Sequence, residues 1–466
     1  MKVQYRGSGK VYIKGKEHQC DLYYNKKRGG ILLKIKVKNE KTLGSFFEVP
    51  LELPHLYGQL ENGFMFTLLQ LRRTSMNDLV SYGITEFTFN AEYILCGIKS
   101  EEDHEQEFHR VEFILSDIME WGEESVYNIG QQFELIRKED DVQKIIYNGQ
   151  GACIKYIVRG SMLPVIDREL LKEHINIEQH GIIQIDFEKE EKLESFIEIF
   201  EKLKRLIEIA YFRKVNLEKV FSYSKDIVYT VGEKNIEYPI EVYGRGIQEN
   251  KHDKSSKNHW WKWISLSELI AQNSFEHYFD KHSTLAPIIE LFLEPFYVEY
   301  SSETRVFLNV VQALETYHSR FVTNNLDEFR RRVESLTENE GQRKALMAKS
   351  RTFITLESRL ADLLFAEGKF YFDTGEIKHV DFPAVVAHTR NYFIHYDETI
   401  KEKHKILTEE ELPFYNRSLL QMLEYYILLE VGFSDVSKVR GKLTERWGKV
   451  SQDLEILRIS RSKSDS

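Results

Sequence analysis

The hydrophobic rhythm of the chain changes part-way along it, and that change constrains the fold more than any other feature. Over residues 1–185 the apolar residues come in short runs, several alternating in steps of two: GKVYIKG, CDLYYN and GGILLKIKV, then FMFTLLQL, ITEFTFNAEYILCGI, HRVEFILSDI, FELIRK and ACIKYIVRG. A period of two places successive side chains on opposite faces of a strand. The runs are rich in β-branched and aromatic residues. Turn signals separate them, notably Asn25-Lys26-Lys27-Arg28-Gly29-Gly30. This spacing predicts an antiparallel sandwich or curved sheet. After Asp186 the spacing becomes helical. Leu193, Phe196, Ile197, Phe200, Leu203, Ile207 and Ala210 recur every three or four residues, with Glu and Lys on the other face. Glu-rich runs such as Glu188–Glu194 read as solvated helix faces. KDIVYTVG and YPIEVYG read as short returning strands.

From about Glu303 onward only helices are expected. ETRVFLNVVQALETYHSRFV, TLESRLADLLFA, DFPAVVAHTRNYFIHY and EELPFYNRSLLQMLEYYILLEVG are four, and a polar helix follows. The apolar run of the fourth is dense enough for a buried helix of a bundle. The expected fold class is therefore multidomain α+β. It has a β-rich, sandwich-like region with added helices at 1–185 and a mixed continuation or connecting subdomain at 186–298. An all-helical bundle follows at 299–458, with a frayed tail at 459–466.

Composition excludes several classes. At 466 residues the chain suits two or three domains. Aromatic residues make up 13%, which argues for large packed cores rather than disorder. No apolar stretch is long enough to span a membrane, and MKVQYRGSGKVYIKGK has no apolar core of a signal peptide. Cys20, Cys96 and Cys153 lie far apart with no C-x-x-C pairing, so a reducing, cytoplasmic setting is expected. The net charge of −10 discourages indiscriminate nucleic-acid binding. Residues 1–42 nevertheless hold twelve Lys/Arg against three Asp/Glu. Any nucleic-acid contact must then be a local patch. The commoner role of such lysines is to guard strand edges. Gly7-Ser8-Gly9 lacks the further glycine and the helix of a phosphate-binding loop. In His259-Trp260-Trp261-Lys262-Trp263 the three tryptophans suit either a stacking platform for unpaired bases or, more commonly, anchors that seal a core.

The segment Asp381–Tyr396 carries the chemistry. Asp381 suits the N-cap and Pro383 the first turn. Phe382, Val385, Val386, Tyr392, Phe393 and Tyr396, with Thr389, form an apolar stripe expected to face the core. Ala384, His388, Asn391 and His395 fall on a second, narrow face. Arg390 lies about 140° round an ideal helix from His395; a long arginine reaches part of that distance, and a π-bulge or a frayed end would close the rest. An arginine and a histidine together suit RNA cleavage. The guanidinium presents a planar fork to phosphate oxygens, and the imidazole can give or take a proton near neutrality. Attack by the 2′-hydroxyl on the adjacent phosphorus needs a base, and the leaving 5′-oxygen needs an acid. Asn391 can orient the imidazole or donate to substrate. One histidine supplies only one proton-transfer group, so a two-fold dimer that faces two Arg390 and two His395 across a cleft is expected. His388 is the fallback second histidine within one chain. The chemistry needs no metal or cofactor. His379, His388, His395 and His404 lack the spacing of a zinc site.

Arg390-Asn391-Tyr392-Phe393-Ile394-His395 resembles the R-N-x-x-x-H signature of the HEPN ribonuclease superfamily. ALETYHSR at Ala313–Arg320 resembles the opening helix of its ApeA-like branch. GKVYIKGK…CDLYYN, ITEFTFNAEYILCG and HRVEFILSDIMEWGEE resemble ApeA N-terminal domains. The resemblance covers nearly the whole chain, loosely outside these motifs. It implies a metal-independent endoribonuclease of abortive-infection anti-phage defence, with tRNA anticodon loops as substrate and a phage-encoded protein as a candidate trigger. The N-terminal region would sense infection or restrain the nuclease. Arg390, Asn391 and His395 carry over as catalytic residues. Glu315 and His318 match less specifically. Glu315 either pairs with an arginine of the site or is a solvated helix residue. The alternative is a catalytically inactive HEPN module that binds nucleotide or RNA. A structural scaffold is a third, weaker option.

Overall fold

The computed structural model describes residues 6–25, 30–38, 49–79, 83–99, 105–116, 118–161, 177–232, 234–244, 246–247, 264–298, 300–336, 343–344, 346–347, 350, 352–366, 372–452 and 454. The Asn25–Gly30 turn at 26–29, the His259–Trp263 cluster and the 459–466 tail fall outside them. The chain divides into two units: Met1–Glu201 with Val215–Asn258, and Lys202–Lys214 with His259–Ser466.

In the first unit the period-two runs become strands. They are β1 (Arg6–Ile13), β2 (Lys16–Asn25), β3 (Gly30–Lys38), β4 (Glu52–Leu60), β5 (Met65–Leu79) and β6 (Ile84–Cys96). These pair in the order β6-β3-β2-β1-β4-β5, and β5 pairs back onto β6. The expected curved sheet therefore closes into a six-stranded antiparallel barrel. Alternation fills its interior: along β3 Ile31, Leu33, Ile35 and Val37 are buried, as are Val11, Leu22, Leu68, Phe87 and Phe89 on its neighbours. The seam between β1 and β4 is short, Gly9–Val11 against Gly58–Leu60. A Cβ on Gly9 would lie 2.3 Å from the Gln59 carbonyl oxygen and 2.7 Å from the Leu60 Cα, so only glycine permits this approach.

The barrel continues as an open sheet. Beyond β6 come β7 (Phe108–Leu115), α1 (Ile118–Gly122), the hairpin β8 (Tyr127–Ile129) and β9 (Leu135–Arg137), β10 (Val142–Gly149), β11 (Ala152–Gly160) and β12 (Gln179–Glu191). Helix α2 (Leu193–Tyr211) is followed by β13 (Leu217–Tyr223), the hairpin β14 (Val228–Val231) and β15 (Lys234–Glu237), and β16 (Ile240–Gly244). The sheet order is β10-β11-β12-β7-β13-β16-β6, so β6 belongs to both barrel and sheet. The N-terminal half of α2 covers the sheet, with Phe200 stacked on Phe113 at 4.0 Å between ring centroids and Phe196 edge-on to Phe187. The sequence reading began this helix after Asp186. The chain instead stays extended to Glu191, because β12 pairs with β7 as far as Glu191 opposite Phe108. Glu188 and Lys189 are thus exposed strand residues.

The second unit is helical. Its elements are α3 (Leu266–Ala271), α4 (Ser274–Tyr297), α5 (Glu303–Tyr317), a π-turn at His318–Val322, α6 (Leu326–Leu336), α7 (Leu356–Ala366), α8 (Phe382–His395), α9 (Glu398–Lys403), α10 (Leu412–Glu430) and α11 (Val436–Trp447). Helix α10 is buried over most of its length, as its apolar density requires: Leu419, Leu423, Tyr425 and Ile427 are fully enclosed. Among the described residues no helix is long and apolar enough to cross a membrane, and Cys20, Cys96 and Cys153 are free thiols.

Candidate active site

Helix α8 carries the motif. Phe382, Pro383, Val385, Val386, Thr389 and Phe393 are buried along one side. Phe393 meets Phe307 of α5 edge to face at 6.2 Å. Thr389, the polar member of the stripe, has both its hydroxyl roles filled: it donates to the Val385 carbonyl (2.7 Å) and accepts from the Leu407 amide (2.9 Å). Asp381 precedes the helix but makes no side-chain capping bond. Tyr396 was expected in the core stripe and is instead 65% exposed. The reason is local: the helix ends at His395, and Tyr396 takes the left-handed conformation (φ 50°, ψ 38°), which turns the chain away from the bundle. The second face is present as read. Ala384, His388 and Asn391 are half-buried and His395 is exposed.

Arg390 points toward α5. Its Nη2 lies 4.0 Å from Glu315 Oε2, and both side chains remain about one-third exposed (35% and 37%). Its Nη1 donates to Asn391 Oδ1 at 3.1 Å. The Asn391 amide therefore holds the guanidinium rather than the imidazole. His395 neighbours Asp397, whose carboxyl is held below its ordinary value by hydrogen bonds from the Thr399 hydroxyl and amide, with smaller help from Lys403 and His395. Helix α8 is regular throughout, so Arg390 and His395 stay about 140° apart around its axis. The π-turn falls elsewhere, at the end of α5. His388 stacks on His404 with ring centroids 3.9 Å apart. Among the described residues no group of three metal-ligating side chains assembles.

His318 is fully enclosed. Its Nε2 lies 2.8 Å from Asp362 Oδ2 and its Nδ1 3.0 Å from Arg359 Nη1. An arginine can only donate and a carboxylate only accept, so the ring is neutral with its proton on Nε2. Burial pushes its pKa below the ordinary value and outweighs Asp362, with Arg359 and Arg332 acting in the same direction as burial. Arg332 donates to both Asp362 oxygens, at 3.1 and 3.0 Å, and Arg359 also donates to Asn324 Oδ1 at 2.6 Å. Sequence reasoning missed Arg359 and Asp362. Three charged residues, Glu357, Arg359 and Asp362, stand in TLESRLADLLFA, and spacing alone does not tell which of them turn inward.

Comparison with known families now adds to this geometry. The ApeA N-terminal domain 1 profile matches residues 7–279, more than half of the chain, and the Apea-like HEPN profile matches residues 308–437. The chain belongs to the ApeA family. The second match spans α5 to the start of α11 and so includes Glu315, Arg359, Arg390 and His395. An HEPN domain implies a ribonuclease, a class that acts on RNA. Searches of curated proteins and of solved structures gave no match. In this ApeA-family chain, then, a partly exposed guanidinium and an exposed imidazole occupy the last turns of one helix inside the HEPN segment.

Proposed function

We propose that the protein is a metal-independent HEPN endoribonuclease of anti-phage abortive infection, with tRNA anticodon loops as substrate. In this reading the barrel-containing unit senses infection, through a phage-encoded trigger, or restrains the nuclease. The observation that carries the nuclease is the accessibility of Arg390 and His395 on α8 within the segment matching Apea-like HEPN. The 2′-oxygen bonds to phosphorus and its proton passes to an imidazole. The bond from phosphorus to the 5′-oxygen breaks, and that oxygen takes a proton from an imidazolium. Arg390 offsets the charge of the five-coordinate phosphorus. The products are a 2′,3′-cyclic phosphate and a 5′-hydroxyl. DNA lacks the nucleophile and is left uncut.

The geometry also supports a composite site. Arg390 and His395 diverge on a regular helix, and the reaction requires one base and one acid. A second copy related by two-fold symmetry would supply the missing groups. Ile394 and Tyr396, 45% and 65% exposed on either side of His395, offer apolar surface for that contact. The test is to induce the full chain in a bacterial host and sequence RNA ends that bear 5′-hydroxyls. Wild type should generate them, and both Arg390→Ala and His395→Ala should lose them by about 100-fold or more. Identical end profiles in all three would remove the nuclease and leave an RNA-binding module.

A further inference from the structure

The barrel wall opens where β1 and β4 part. Their ladder ends at the pair Val11–Gly58, although β1 stays paired with β2 to Ile13 and β4 with β5 from Glu52. Val11 and Leu56 are buried in the barrel, so alternation turns Tyr12 and Tyr57 outward where the strands diverge. The two rings stack, with 5.0 Å between centroids and 18° between planes. Lys99, just past the end of β6, places its Nζ 4.9 Å from the Tyr57 centroid and 5.7 Å from that of Tyr12. The parted strands border an open cleft of about 520 Å³, whose lining includes Tyr12, Lys14, Leu53, Pro54, His55 and Tyr57.

Lys14 is held there against its backbone preference. Lys14 and Gly15 form the two-residue loop of the β1–β2 hairpin, with φ of 50° and 73°. A loop with both residues left-handed favours Asn-Gly, so a lysine at its first position is strained. Strain of this kind gathers at ligand sites. The neighbouring carboxylates are already matched: Glu17 pairs with Lys10 at 2.8 Å and Glu52 with Arg72 at 3.1 Å. Among the described residues, neither Lys14 nor Lys99 forms an ion pair.

An aromatic pair beside two ammonium groups suits a flat ring that carries negative charge. An unpaired nucleotide offers both, a base to stack and a phosphate to meet a lysine. We propose that this cleft holds an unpaired nucleotide of single-stranded RNA, its base against the Tyr12–Tyr57 pair and its phosphate at Lys14 and Lys99. The barrel then binds substrate directly, beyond the sensing or restraining role given above. The inference rests on the nuclease reading only in taking RNA as the ligand. In duplex RNA the bases are already stacked, so a duplex does not fit the cleft.

The experiment uses the full-length chain carrying His395→Ala, so that RNA is bound and not cut. A short single-stranded RNA containing thiouridine is irradiated with it, and the crosslinked peptides are mapped by mass spectrometry. Affinity is measured with the same RNA bearing a fluorescent label. Crosslinks at Tyr12 or Tyr57 are expected, and none there with a duplex of the same sequence. Adding Tyr57→Ala should weaken binding by about 5-fold or more. Adding Lys14→Asn separates binding from folding, because asparagine suits the left-handed turn and the melting temperature should hold or rise. RNA affinity should nevertheless fall by about 3- to 5-fold, and the slope of log affinity against log salt should become shallower by about 0.7. If the tyrosines and Lys99 merely seal the barrel, Lys14→Asn binds RNA within about 2-fold of its parent, and that result overturns the proposal. Crosslinks confined to other segments overturn it as well. Adenosine and uridine monophosphates serve as competitors. If either abolishes the Tyr12 or Tyr57 crosslink at a concentration comparable with that of the RNA, the cleft takes free nucleotides and the RNA assignment falls. Absence of cleavage by the wild type would remove the nuclease reading alone, since the crosslink map and the Lys14→Asn affinity are read without cleavage.

Discussion

Replacing Arg446 by Met would remove one half of an ion pair that water does not reach. Arg446 on α11 and Glu424 on α10 pair with side chains 0% exposed. Trp447 Nε1 donates to the other carboxylate oxygen at 2.6 Å, and Arg446 also donates to the carbonyls of Ile209 (3.1 Å) and Ala210 (2.6 Å). Burial pushes the Glu424 carboxyl above its ordinary value despite Arg446 and Trp447. Desolvation therefore outweighs attraction in this pair, as is common for buried ions. Arg446→Met leaves a buried carboxylate without its counter-charge, at a cost of about 3–5 kcal/mol. It also strips the donor from two carbonyls, each worth about 1–3 kcal/mol. Glu424→Leu leaves the buried guanidinium without its counter-charge, again about 3–5 kcal/mol. The double variant removes both charges and keeps only the carbonyl and indole losses, so it should cost less than Arg446→Met by itself. Denaturant unfolding of the four proteins, followed by circular dichroism, measures these differences. Thermal unfolding should fall by about 2–4 °C per kcal/mol for a unit of this size. An Arg446→Met cost under about 1 kcal/mol, or a double variant equal to the sum of the singles, would refute the reasoning.

Three further outcomes are expected. Gly9→Ala should destabilise the barrel by about 1–3 kcal/mol, because the new Cβ meets backbone of β4 that cannot step aside; an unchanged melting temperature would mean the β1–β4 seam yields. Tyr396→Gly should raise stability by up to about 1 kcal/mol. The left-handed conformation costs a side chain about 1–2 kcal/mol, whereas the exposed ring returns little through Tyr392 and Phe393 at 5.9 and 6.3 Å. A lower melting temperature would show that those ring contacts dominate. Burial pushes the Asp373 carboxyl up, but hydrogen bonds from the Ser451 hydroxyl and amide and the Gly375 amide bring it below its ordinary 3.8. A depressed carboxylate stabilises the fold above its unfolded pKa and loses that effect as pH falls through the folded one. The Ser451 segment should therefore loosen below about pH 3.8 in wild type, and amide protection there, relative to the intrinsic exchange rate at each pH, should be constant over that range in Asp373→Asn.

Much of the site was legible because its signals are local. The motif Arg390–His395, its helix and its half-exposed face all follow from residue spacing within sixteen positions. The end of that helix was not legible, since nothing in Tyr396 itself announces a left-handed turn. The buried set around His318 was not legible either: Asn324, Arg332, Arg359 and Asp362 reach it from three segments, and spacing along the chain says nothing about which charged residues meet.

By itself the sequence determined where strands give way to helices, which residues alternate into the barrel and bundle cores, and where the Arg–Asn–His set lies. These are short-range properties, set by backbone geometry and by the aversion of apolar side chains to water. Tertiary structure alone decided that β5 returns to β6 and closes a barrel, that β6 is shared with the open sheet, that Arg390 meets Glu315, and that His318 joins Arg359 to Asp362. Those outcomes depend on hydrogen bonds and charges brought together across long stretches of chain, where many pairings share one local pattern and only the packed whole selects among them.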